Sequence, residues 1–330
     1  MVISQTPLRI SLIGGGTDFL EYYSQHNGCV ISTTIDKYIY VVVKERFDNL
    51  IVLHYTENEI VENIESIKHE LIKECLKKVD LKTGVEIITL ADIPSKGSGL
   101  GSSSALIVGL LNALYTFHGM QVSHDRLAKE TCEIEIDILK KPIGKQDQYI
   151  VATGGFKKIT FLKNGDVNVE PINISREHKK KVGSNLLLHY TNHTRNANTI
   201  LEKQKENIVT IKNDLDKLTA LTSKLEKELH KLNFDYIGTV LKENWELKKT
   251  FASNVTNKGI DEMIKLAMAN GAIGCKIAGA GGGGFLLSYV PLNLQDKFRD
   301  AMSGYRELSF TLEPYGSRIL LNVRNYSNNF

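Results

Sequence analysis

The spacing of hydrophobic residues along the chain predicts a mixture of strands and helices. Runs of apolar and β-branched residues are typical of buried strands. We predict such strands at residues 3–12, 29–43, 85–90, 186–190, 274–278, 285–290 and 319–323. Apolar residues at three- and four-residue spacing are typical of helices instead. We predict helices at residues 105–115, 123–140, 146–152, 234–250, 258–270 and 292–302.

A longer helical pattern lies in the second half of the chain. Hydrophobic residues recur at three- and four-residue steps from Ile208 to Leu232, and the pattern is interrupted once, at Thr222. We predict one long amphipathic helix here. A coiled coil with a second chain needs the same pattern, but packing against the same chain is the favoured interpretation.

The chain length and a polar stretch together predict two domains. A chain of 330 residues is longer than one ordinary domain. Residues 156–169 have the pattern of a hairpin, because their Asn-Gly pair supplies the positive φ angles of a tight turn. The polar residues 173–181 follow as a predicted linker. We therefore predict one domain over residues 1–172 and a second, α+β domain over residues 173–330.

Composition narrows the class of protein. Hydrophobic residues make up 42% of the chain and charged residues 24%, which is typical of a soluble globular enzyme. The net charge of +3 is too small to predict binding to nucleic acid or to an anionic membrane. The four cysteines lie far apart, which argues against a zinc site or a disulfide framework. The first residues lack a signal-peptide pattern and no apolar run could span a bilayer, so we expect a cytoplasmic protein.

The most informative segment for function is rich in glycine and serine and lies at residues 96–105. It joins a predicted strand to an apolar helix, so the amides at the start of that helix favour an anion. Glycines let the backbone approach phosphate oxygens closely, serine hydroxyls can donate hydrogen bonds, and a lysine adds positive charge. The predicted phosphate-binding residues are Lys96, Gly97, Ser98, Gly99, Leu100, Gly101, Ser102, Ser103 and Ser104.

Two familiar nucleotide-binding loops can be compared with this segment by their spacing. A P-loop has Gly-Lys followed by Ser or Thr at the start of the helix, where this chain has Gly101 and Ser102. A dinucleotide-binding loop has a third glycine where Ser104 stands. The spacing therefore disfavours both loops, and a flexible loop before a capped helix is the remaining structural alternative.

Three segments, in order along the chain, resemble the signature motifs of one enzyme family. Residues 97–105 resemble the central ATP-binding motif of the galactokinase, homoserine kinase, mevalonate kinase and phosphomevalonate kinase superfamily. Residues 7–19 resemble its substrate motif, and residues 276–285 resemble its third, glycine-rich motif. The resemblance implies an ATP-dependent small-molecule kinase with two α+β domains. The first would be ribosomal-protein-S5-like and would bind ATP and carry the catalytic residues, and the second would be ferredoxin-like and would complete the substrate cleft.

The resemblance also implies a catalytic base. Residues 144–148 resemble the family's catalytic segment, which implies that Asp147 takes the proton from the acceptor. Arg9 would then lie at the reacting centre and stabilise both the Asp147 carboxylate and the charge that develops on the phosphate. From the residues alone, Asp147 could instead cap the helix that begins there.

A metal site is implied by the same resemblance. Glu135 matches the family's magnesium-binding glutamate, and with Ser103 it would hold Mg²⁺ next to the phosphates of ATP. ATP and Mg²⁺ are thus the expected cofactors. Glu133 and Asp137 lie so close to Glu135 that the choice between these acids stays open, as does a solvated acidic helix face.

The substrate motif is similar to that of a narrower group of kinases. Galactokinases carry Glu and His where this chain has Gly15 and Gly16, which argues against galactose as the acceptor. The motif and residues 144–148 are similar to those of the sugar 1-kinases that act on D-glycero-D-manno-heptose 7-phosphate. This implies phosphorylation of the anomeric C1 hydroxyl to give heptose 1,7-bisphosphate, for nucleotide-activated heptose and surface polysaccharide synthesis.

Substrate-binding residues are expected in each of these motifs and after the strand at residues 186–190. The candidate cations for a 7-phosphate are Lys145, Arg195 and Lys276, and Arg195 is favoured because it ends a polar turn. The predicted substrate-binding residues are Arg9, Gly15, Gly16, Thr17, Asp18, Lys145, Asp147, Arg195, Gly281 and Gly282.

Two other functions stay open at this point. A 1-kinase of a free sugar such as L-fucose shares the three-glycine substrate motif, and the superfamily also includes non-catalytic sugar sensors. The presence of Asp147, Glu135 and Arg9 argues against a sensor. We expect ATP and a small-molecule sugar phosphate as binding partners, expect neither nucleic acid nor membrane, and leave a homodimer open.

Overall fold

The computed structural model describes residues 1–93, 97–193 and 197–323, and within these ranges the chain forms two β-sheets with helices packed against them. The strands are β1 (Val2–Ile13), β2 (Gly28–Glu45), β3 (Ile51–His54), β4 (Asn58–Val61), β5 (Val85–Ala91), β6 (Phe156–Phe161), β7 (Val167–Pro171), β8 (Leu186–Tyr190), β9 (Gly274–Ile277), β10 (Phe285–Tyr289), β11 (Glu307–Leu308), β12 (Leu312–Glu313) and β13 (Arg318–Asn322). The helices are α1 (Leu20–Tyr23), α2 (Glu70–Lys78), α3 (Ser102–Phe117), α4 (His124–Cys132), α5 (Gln146–Thr153), α6 (Arg176–Ser184), α7 (Ala197–Asn207), α8 (Lys212–His230), α9 (Tyr236–Lys248), α10 (Lys258–Ala269) and α11 (Gln295–Ala301). A π-helical turn at Glu133–Ile138 continues α4, and single 3₁₀ turns lie at Ile64–Ser66 and Leu292–Leu294. The predicted α+β class is confirmed.

The larger sheet is organised around the long strand β2. β2 pairs with β1 in antiparallel fashion along nearly the whole of both strands, its first half also pairs with β6, and its second half pairs with β5. β-Branched and aromatic residues, which favour strands, fill much of β2. The register between β1 and β2 shifts between Pro7 and Leu8. Such an irregularity re-aims the side chains that follow it, and the next residue is Arg9.

The smaller sheet has the strand order β11-β8-β10-β9, and all its pairs are antiparallel. Helix α9 packs against β9, while α8 packs between α9 and β2 of the larger sheet. The apolar face of α8 explains this position, because its buried residues follow helical spacing. They are Leu215, Leu218, Thr222, Leu225 and Leu229.

The last strands of the described chain return to the larger sheet. β13 pairs with β1, from Val2 opposite Asn322 to Gln5 opposite Arg318, and β12 pairs with β2. Both strands come after residue 173 in the sequence, in the second predicted domain, yet they pair with β1 and β2 of the first predicted domain. The boundary itself stays a prediction.

The predicted long helix from Ile208 to Leu232 is confirmed as α8, although α8 begins four residues later than predicted, and a separate helix, α7, precedes it. α7 ends at Asn207 and α8 begins at Lys212, and the connection carries the buried side chains of Ile208 and Ile211. Hydrophobic spacing therefore continues through a break in the helix. Thr222 does not interrupt α8, because its buried hydroxyl donates to the Leu218 carbonyl oxygen at 2.8 Å within the helix.

The predicted linker at residues 173–181 is wrong, because α6 begins within it. The Ser175 hydroxyl accepts a hydrogen bond from the His178 amide and caps this helix. Only Val182 among the α6 residues is buried, so the sequence shows no apolar period here. Across the three described ranges, no helix has both the length and the apolar character that crossing a bilayer requires.

Candidate active site

A cavity of about 310 Å³ lies where loops from the two sheets meet. It is bounded by the loop after β1, the glycine-serine loop before α3, the start of α5, helix α7 and the loop after β9. All three predicted motifs therefore reach one cavity. The predicted site residues that line it are Arg9, Gly15, Gly16, Asp18, Gly97, Ser98, Gly99, Gly101, Ser102, Ser103, Ser104, Glu135, Asp147 and Lys276.

The loop before α3 has the geometry of an anion site. Gly97, Gly99 and Gly101 have φ angles of 75°, 72° and 80°, in the left-handed region that glycine adopts without strain. Helix α3 begins directly after Gly101 and runs for 16 residues. The amides of its first turn have no partners within the helix, and its dipole places partial positive charge at this end. The described part of the loop thus suits a phosphate group.

The third glycine-rich motif packs against the back of this loop. A Cβ atom on Gly99 would lie 2.5 Å from the carbonyl oxygen of Ala278, and one on Gly279 would lie 2.6 Å from the Cα of Gly99. A Cβ atom on Gly284 would lie 2.6 Å from the carbonyl oxygen of Ser98. Each distance is too short for any other residue, so backbone-to-backbone contact holds the loop in place.

Arg9 and Asp147 form a bidentate ion pair at the centre of the cavity. The Arg9 Nε donates to Oδ1 of Asp147 at 2.7 Å, and Nη2 donates to Oδ2 at 2.6 Å. The third side-chain donor, Nη1, donates to the Gly99 carbonyl oxygen at 2.6 Å. Arg9 is only 4% exposed, so its guanidinium is held by the substrate motif, the phosphate loop and the catalytic segment together.

The alternative role of Asp147 as a helix cap does not match the geometry. In the described structure, α5 has Lys145 at its N-cap position and makes no side-chain hydrogen bond there. Both Asp147 oxygens are instead directed to Arg9, and a Cβ atom on Gly101 would lie 3.5 Å from Oδ2. The carboxylate side chain is 24% exposed. It therefore lies beside the phosphate loop and remains accessible to a substrate.

Asp18 is buried between the glycine loop after β1 and the start of α5. Its Oδ1 accepts from the Gly16 amide at 2.8 Å, and its Oδ2 accepts from Gln146 Nε2 at 3.0 Å. Burial raises the pKa of the Asp18 carboxyl, and the negative charge of Asp147 raises it further, against hydrogen bonds that lower it. Asp18 thus fixes the glycine loop relative to the start of α5.

Glu135 is fully buried beside the first turn of α3. Its Oε1 accepts from the Ser103 hydroxyl at 2.6 Å, and its Oε2 accepts from the Ser104 hydroxyl at 2.7 Å and from Gln148 Nε2 at 2.8 Å. Burial raises the pKa of the Glu135 carboxyl, against the hydrogen bonds of the two serines. The residue lies on the π-helical turn, a feature that is frequent at functional sites.

The structure separates Glu135 from the two neighbouring acids. Glu133 forms an ion pair with Lys78 at 2.6 Å, and Asp137 is exposed. Of the three, only Glu135 is among the described residues that line the cavity. The widened π-helical turn thus directs one carboxylate of this acidic segment to the phosphate loop.

Several predicted site residues are not brought to the cavity. Thr17 is buried and its hydroxyl donates to the Cys29 carbonyl oxygen at 3.0 Å, while Lys145 Nζ donates to the Gly165 carbonyl oxygen at 3.1 Å. Gly281 and Gly282 are buried in the loop between β9 and β10. None of these four is among the described lining residues, which argues against direct substrate contact.

Three further predicted residues are Leu100, Lys96 and Arg195. Leu100 is fully buried; its carbonyl oxygen accepts from the Arg9 amide at 3.0 Å, and its amide donates to the Ser98 hydroxyl at 3.4 Å. Lys96 and Arg195 lie outside the described residues.

Two buried lysines line the cavity next to the third motif. Lys276 is 2% exposed, and its Nζ donates to the Asn244 side-chain oxygen at 2.7 Å. Burial lowers the pKa of Lys276 well below its ordinary value, and the charges of Lys248 and Arg9 lower it further. The Lys248 ammonium donates to the Gly279 carbonyl oxygen. This wall of the cavity therefore holds two buried lysines, and burial disfavours the charged form of Lys276.

Sequence reasoning missed several lining residues. They come from helix α7, from the segment before α5, from the first residue of α5 and from the end of α9, and they include Lys141, Gln146, Asn198, Gln204 and Lys248. Gln146 lies within the segment that resembles the family's catalytic motif, which was the available signal for it. The others reach the cavity only through the tertiary fold.

Comparison with known families and structures agrees with this geometry. The model of the GHMP kinase N-terminal domain matches residues 65–155, and that of the GHMP kinase C-terminal domain matches residues 225–306. The chain is 32% identical to the D-glycero-alpha-D-manno-heptose 7-phosphate kinase of Campylobacter jejuni, over 94% of this chain and 96% of that protein. The chain belongs to the GHMP kinase family. As a GHMP kinase it uses ATP, so the predicted superfamily and ATP-dependent activity are confirmed.

Solved structures show the same fold for this GHMP kinase. A putative sugar kinase from Campylobacter jejuni has a TM-score of 0.75 and 29% identity, and the match covers 96% of this chain and 97% of that one. A D-glycero-D-manno-heptose 1-phosphate kinase from Bacteriodes thetaiotaomicron has a TM-score of 0.81 at 24% identity, over 98% and 100% of the two chains. The predicted two-domain α+β kinase fold is thus confirmed.

Proposed function

We propose that this GHMP kinase transfers the γ-phosphate of ATP to the anomeric C1 hydroxyl of D-glycero-D-manno-heptose 7-phosphate, giving heptose 1,7-bisphosphate. The observation that carries the choice of acceptor is the 32% identity to the Campylobacter jejuni kinase over 94% of this chain. The bidentate pair of Arg9 and Asp147 beside the phosphate loop supports phosphoryl transfer. Since the donor is ATP, we infer a cytoplasmic reaction that precedes nucleotide activation of the heptose for polysaccharide.

Asp147 is the base in this proposal. Its carboxylate accepts the proton of the C1 hydroxyl as the oxygen attacks the γ-phosphorus, and the bond from phosphorus to the bridging oxygen of ADP breaks. A hemiacetal hydroxyl is more acidic than an ordinary alcohol, which makes this proton easier to remove. Arg9 orients the carboxylate by donating to both its oxygens.

The phosphate loop and α3 receive the phosphates of ATP. The first-turn amides of α3 and the hydroxyls of Ser98, Ser102 and Ser103 face or border the cavity. Charge that develops on the transferred group is stabilised by the helix N-terminus and by the Arg9 guanidinium. Lys141 also lines the cavity on this side and adds a further cation.

The oxygens of Ser103 and Glu135 fit the predicted Mg²⁺. A hydroxyl and a carboxylate 2.6 Å apart are the hard oxygen ligands that this ion prefers, together with phosphate and water. When bound, Mg²⁺ neutralises charge on the phosphates. Ser104 and Gln148 hold the other Glu135 oxygen, so the oxygen next to Ser103 keeps its direction.

The acceptor side of the cavity suits a sugar phosphate. Gly15 has no side chain, and a Cβ atom there would meet only Nε2 of Gln146, at 3.9 Å, so an acceptor can approach the backbone at this position. For the 7-phosphate, Lys276 is the predicted cation that the structure brings to the cavity, and Lys248 lies in the same wall. A phosphate bound there would favour the charged form of Lys276 and form an ion pair with it.

The test is an acceptor panel. Purified protein with ATP and Mg²⁺ is offered heptose 7-phosphate, free heptose, L-fucose and galactose; ADP release is measured and the phosphorylated position is read by phosphorus NMR. We expect turnover with heptose 7-phosphate and a new phosphate on C1. Turnover of a free sugar in preference to the 7-phosphate would replace this acceptor with the L-fucose type of substrate. Sugar binding without ADP release from any acceptor would favour the non-catalytic sensor.

A further inference from the structure

Two side-chain amides at the acceptor end of the cavity hold polar atoms that are buried and have no hydrogen-bond partner among the described residues. These atoms are Nε2 of Gln204 and Oε1 of Gln146. We propose that Gln204 and Gln146 form a donor and acceptor pair that binds neighbouring hydroxyl groups of a polyhydroxylated acceptor. The proposal deepens the proposed function and rests on it for the identity of the sugar.

Gln204 supplies the donor. It lies on α7, lines the cavity and is 2% exposed. Its Nε2 packs so closely against the substrate loop that a Cβ atom on Gly16 would lie 2.4 Å from it. Gly16 has a φ angle of 98°, so both the backbone and the space at this position require glycine. The loop and the amide therefore fit each other, and the amide hydrogens still lack an acceptor.

Gln146 supplies the acceptor. Its Nε2 donates to Oδ2 of Asp18 at 3.0 Å, which fixes the direction of the amide, because the same carboxylate also accepts from the Gly16 amide. The opposite atom, Oε1, is thus left as a buried acceptor. A Cβ atom on Gly15 would lie 3.9 Å from Nε2 of Gln146. The two glutamines consequently lie against neighbouring glycines of the same loop.

Unsatisfied buried groups of this kind are uncommon in native proteins. Each destabilises the protein when no partner is supplied, and both atoms are buried. A group bound in the cavity can supply the missing hydrogen bonds. Their coincidence at one loop, next to the predicted substrate residues Gly15, Gly16 and Asp18, points to the acceptor rather than to ATP.

The chemistry of the pair selects the class of acceptor. A hydroxyl group both donates and accepts, so adjacent hydroxyls of a sugar can accept from Gln204 and donate to Gln146. A carboxylate only accepts and would face the Gln146 oxygen without a hydrogen bond. The pair therefore favours sugars over carboxylate-bearing alcohols and contributes to specificity without touching the reacting oxygen.

The experiment combines Gln204→Leu with monodeoxy analogues of the acceptor. Leucine keeps most of the side-chain volume and removes the donor. We expect kcat/KM for the acceptor to fall about ten-fold, while KM for ATP is unchanged. With the wild-type enzyme, kcat/KM for one deoxy analogue should be about ten-fold lower than for the acceptor. With Gln204→Leu, kcat/KM for that analogue should not fall further. The melting temperature of the ligand-free variant should not fall, because the change removes an unsatisfied donor.

The control is Glu206→Leu, an exposed position on the same helix, which should keep wild-type kinetics. Equal losses of kcat/KM for all analogues, together with a lower melting temperature, would assign Gln204 a structural role and overturn the proposal. The proposal would also be overturned if Gln204→Leu discriminated between the acceptor and every deoxy analogue as strongly as the wild type does. If the wild-type enzyme rejects heptose 7-phosphate but phosphorylates another sugar, the acceptor assignment fails, and the analogues of that sugar test the glutamines. If it neither phosphorylates nor binds any sugar in the panel, both proposals fail.

Discussion

Arg9 and Asp147 share two parallel hydrogen bonds of 2.7 and 2.6 Å, and the same guanidinium donates to the Gly99 carbonyl oxygen at 2.6 Å. One buried side chain thus joins the strand that carries the substrate motif, the phosphate loop and the helix that carries the carboxylate. The orientation of Asp147 is consequently set before any substrate binds. Pre-set orientation of this kind lowers the barrier to transfer because it does not have to be created during the reaction.

Asp147→Asn removes the proposed base while it keeps the size of the side chain. We expect kcat to fall by about 10²–10⁴, with the dissociation constant for ATP little changed, because the phosphate loop is intact. Steady-state kinetics and ATP titration measure the two quantities. Full activity of this variant would show that another group takes the proton.

Arg9→Lys tests the bidentate geometry rather than the charge. Lysine offers a point charge and cannot donate to both oxygens of Asp147 and to Gly99 in the same arrangement, so we expect kcat to fall about ten- to hundred-fold. Arg46→Lys is a matched control, since Arg46 makes the same two contacts with Asp48 at 2.7 and 2.6 Å on the surface. An exposed pair contributes little. Equal behaviour of the two variants would contradict a special role for Arg9.

The sequence predicts those elements of the fold whose residues have a regular spacing. The long strand β2 and the apolar helix α3 were both recognisable, and their bounds in the structure extend the prediction by a few residues. The helix α6 was not, because only Val182 in it is buried. The strands β3 and β4 have four residues each, which is too short for an alternating pattern to show.

The same limit applies to the site. Arg9, Asp147 and Glu135 could be named because they lie in or near motifs of fixed spacing, and the structure brings all three to one cavity. Gln204 and Lys248 lie on helices whose sequences show only amphipathic spacing. Their place in the cavity depends on how α7 and α9 pack, and this packing cannot be predicted from a single sequence.

Gly99→Ala and Gly279→Ala test the contact between the phosphate loop and the third motif. Both glycines have positive φ angles, 72° and 66°, and both added Cβ atoms would collide with backbone. The left-handed conformation alone costs about 1–2 kcal/mol for a residue with a Cβ atom. We expect lower melting temperatures and weaker ATP binding. Gly304→Ala is the control, because an added Cβ atom there meets nothing within 4 Å, and it should change neither the melting temperature nor ATP binding. Unaltered ATP binding in Gly99→Ala and Gly279→Ala would show that this contact does not support nucleotide binding.

Glu135→Gln gives a prediction with a defined pH dependence. Burial raises the pKa of Glu135 from its ordinary value of 4.5, so the folded protein binds this proton more tightly than the unfolded chain. The stability that this group contributes is fully present below about pH 4.5 and is lost as the pH rises through the folded pKa. The melting temperature of Glu135→Gln, relative to that of the wild type, should therefore increase as the pH rises from about 4.5 through the pKa of Glu135 in the folded protein. A constant difference at all pH values would contradict the raised pKa.

The same variant tests the metal site. Mg²⁺ bound by the carboxylate would stabilise the wild type at neutral pH and have less effect on Glu135→Gln, which should also need more Mg²⁺ for activity. Glu133→Gln is the matched control on the same π-helical turn, since its partner is Lys78, and it should keep the wild-type Mg²⁺ dependence. The same shift in both variants would remove Glu135 from the site.

Lys276→Met tests whether the wall that holds Lys276 and Lys248 receives the phosphate of the acceptor. Burial, Lys248 and Arg9 lower the pKa of Lys276, and a bound phosphate would favour the charged form and raise it again. Binding should then take up a proton, which titration calorimetry at about pH 8 in buffers of different ionisation enthalpy measures. We expect proton uptake when the wild type binds heptose 7-phosphate, and less uptake with Lys276→Met together with a KM for this acceptor that is about ten-fold higher. Lys242→Met, at an exposed position on α9, is the control. Proton uptake on binding ATP but not the sugar phosphate would assign Lys276 to the nucleotide instead, because the pKa of Lys276 rises only when a phosphate binds next to its ammonium group.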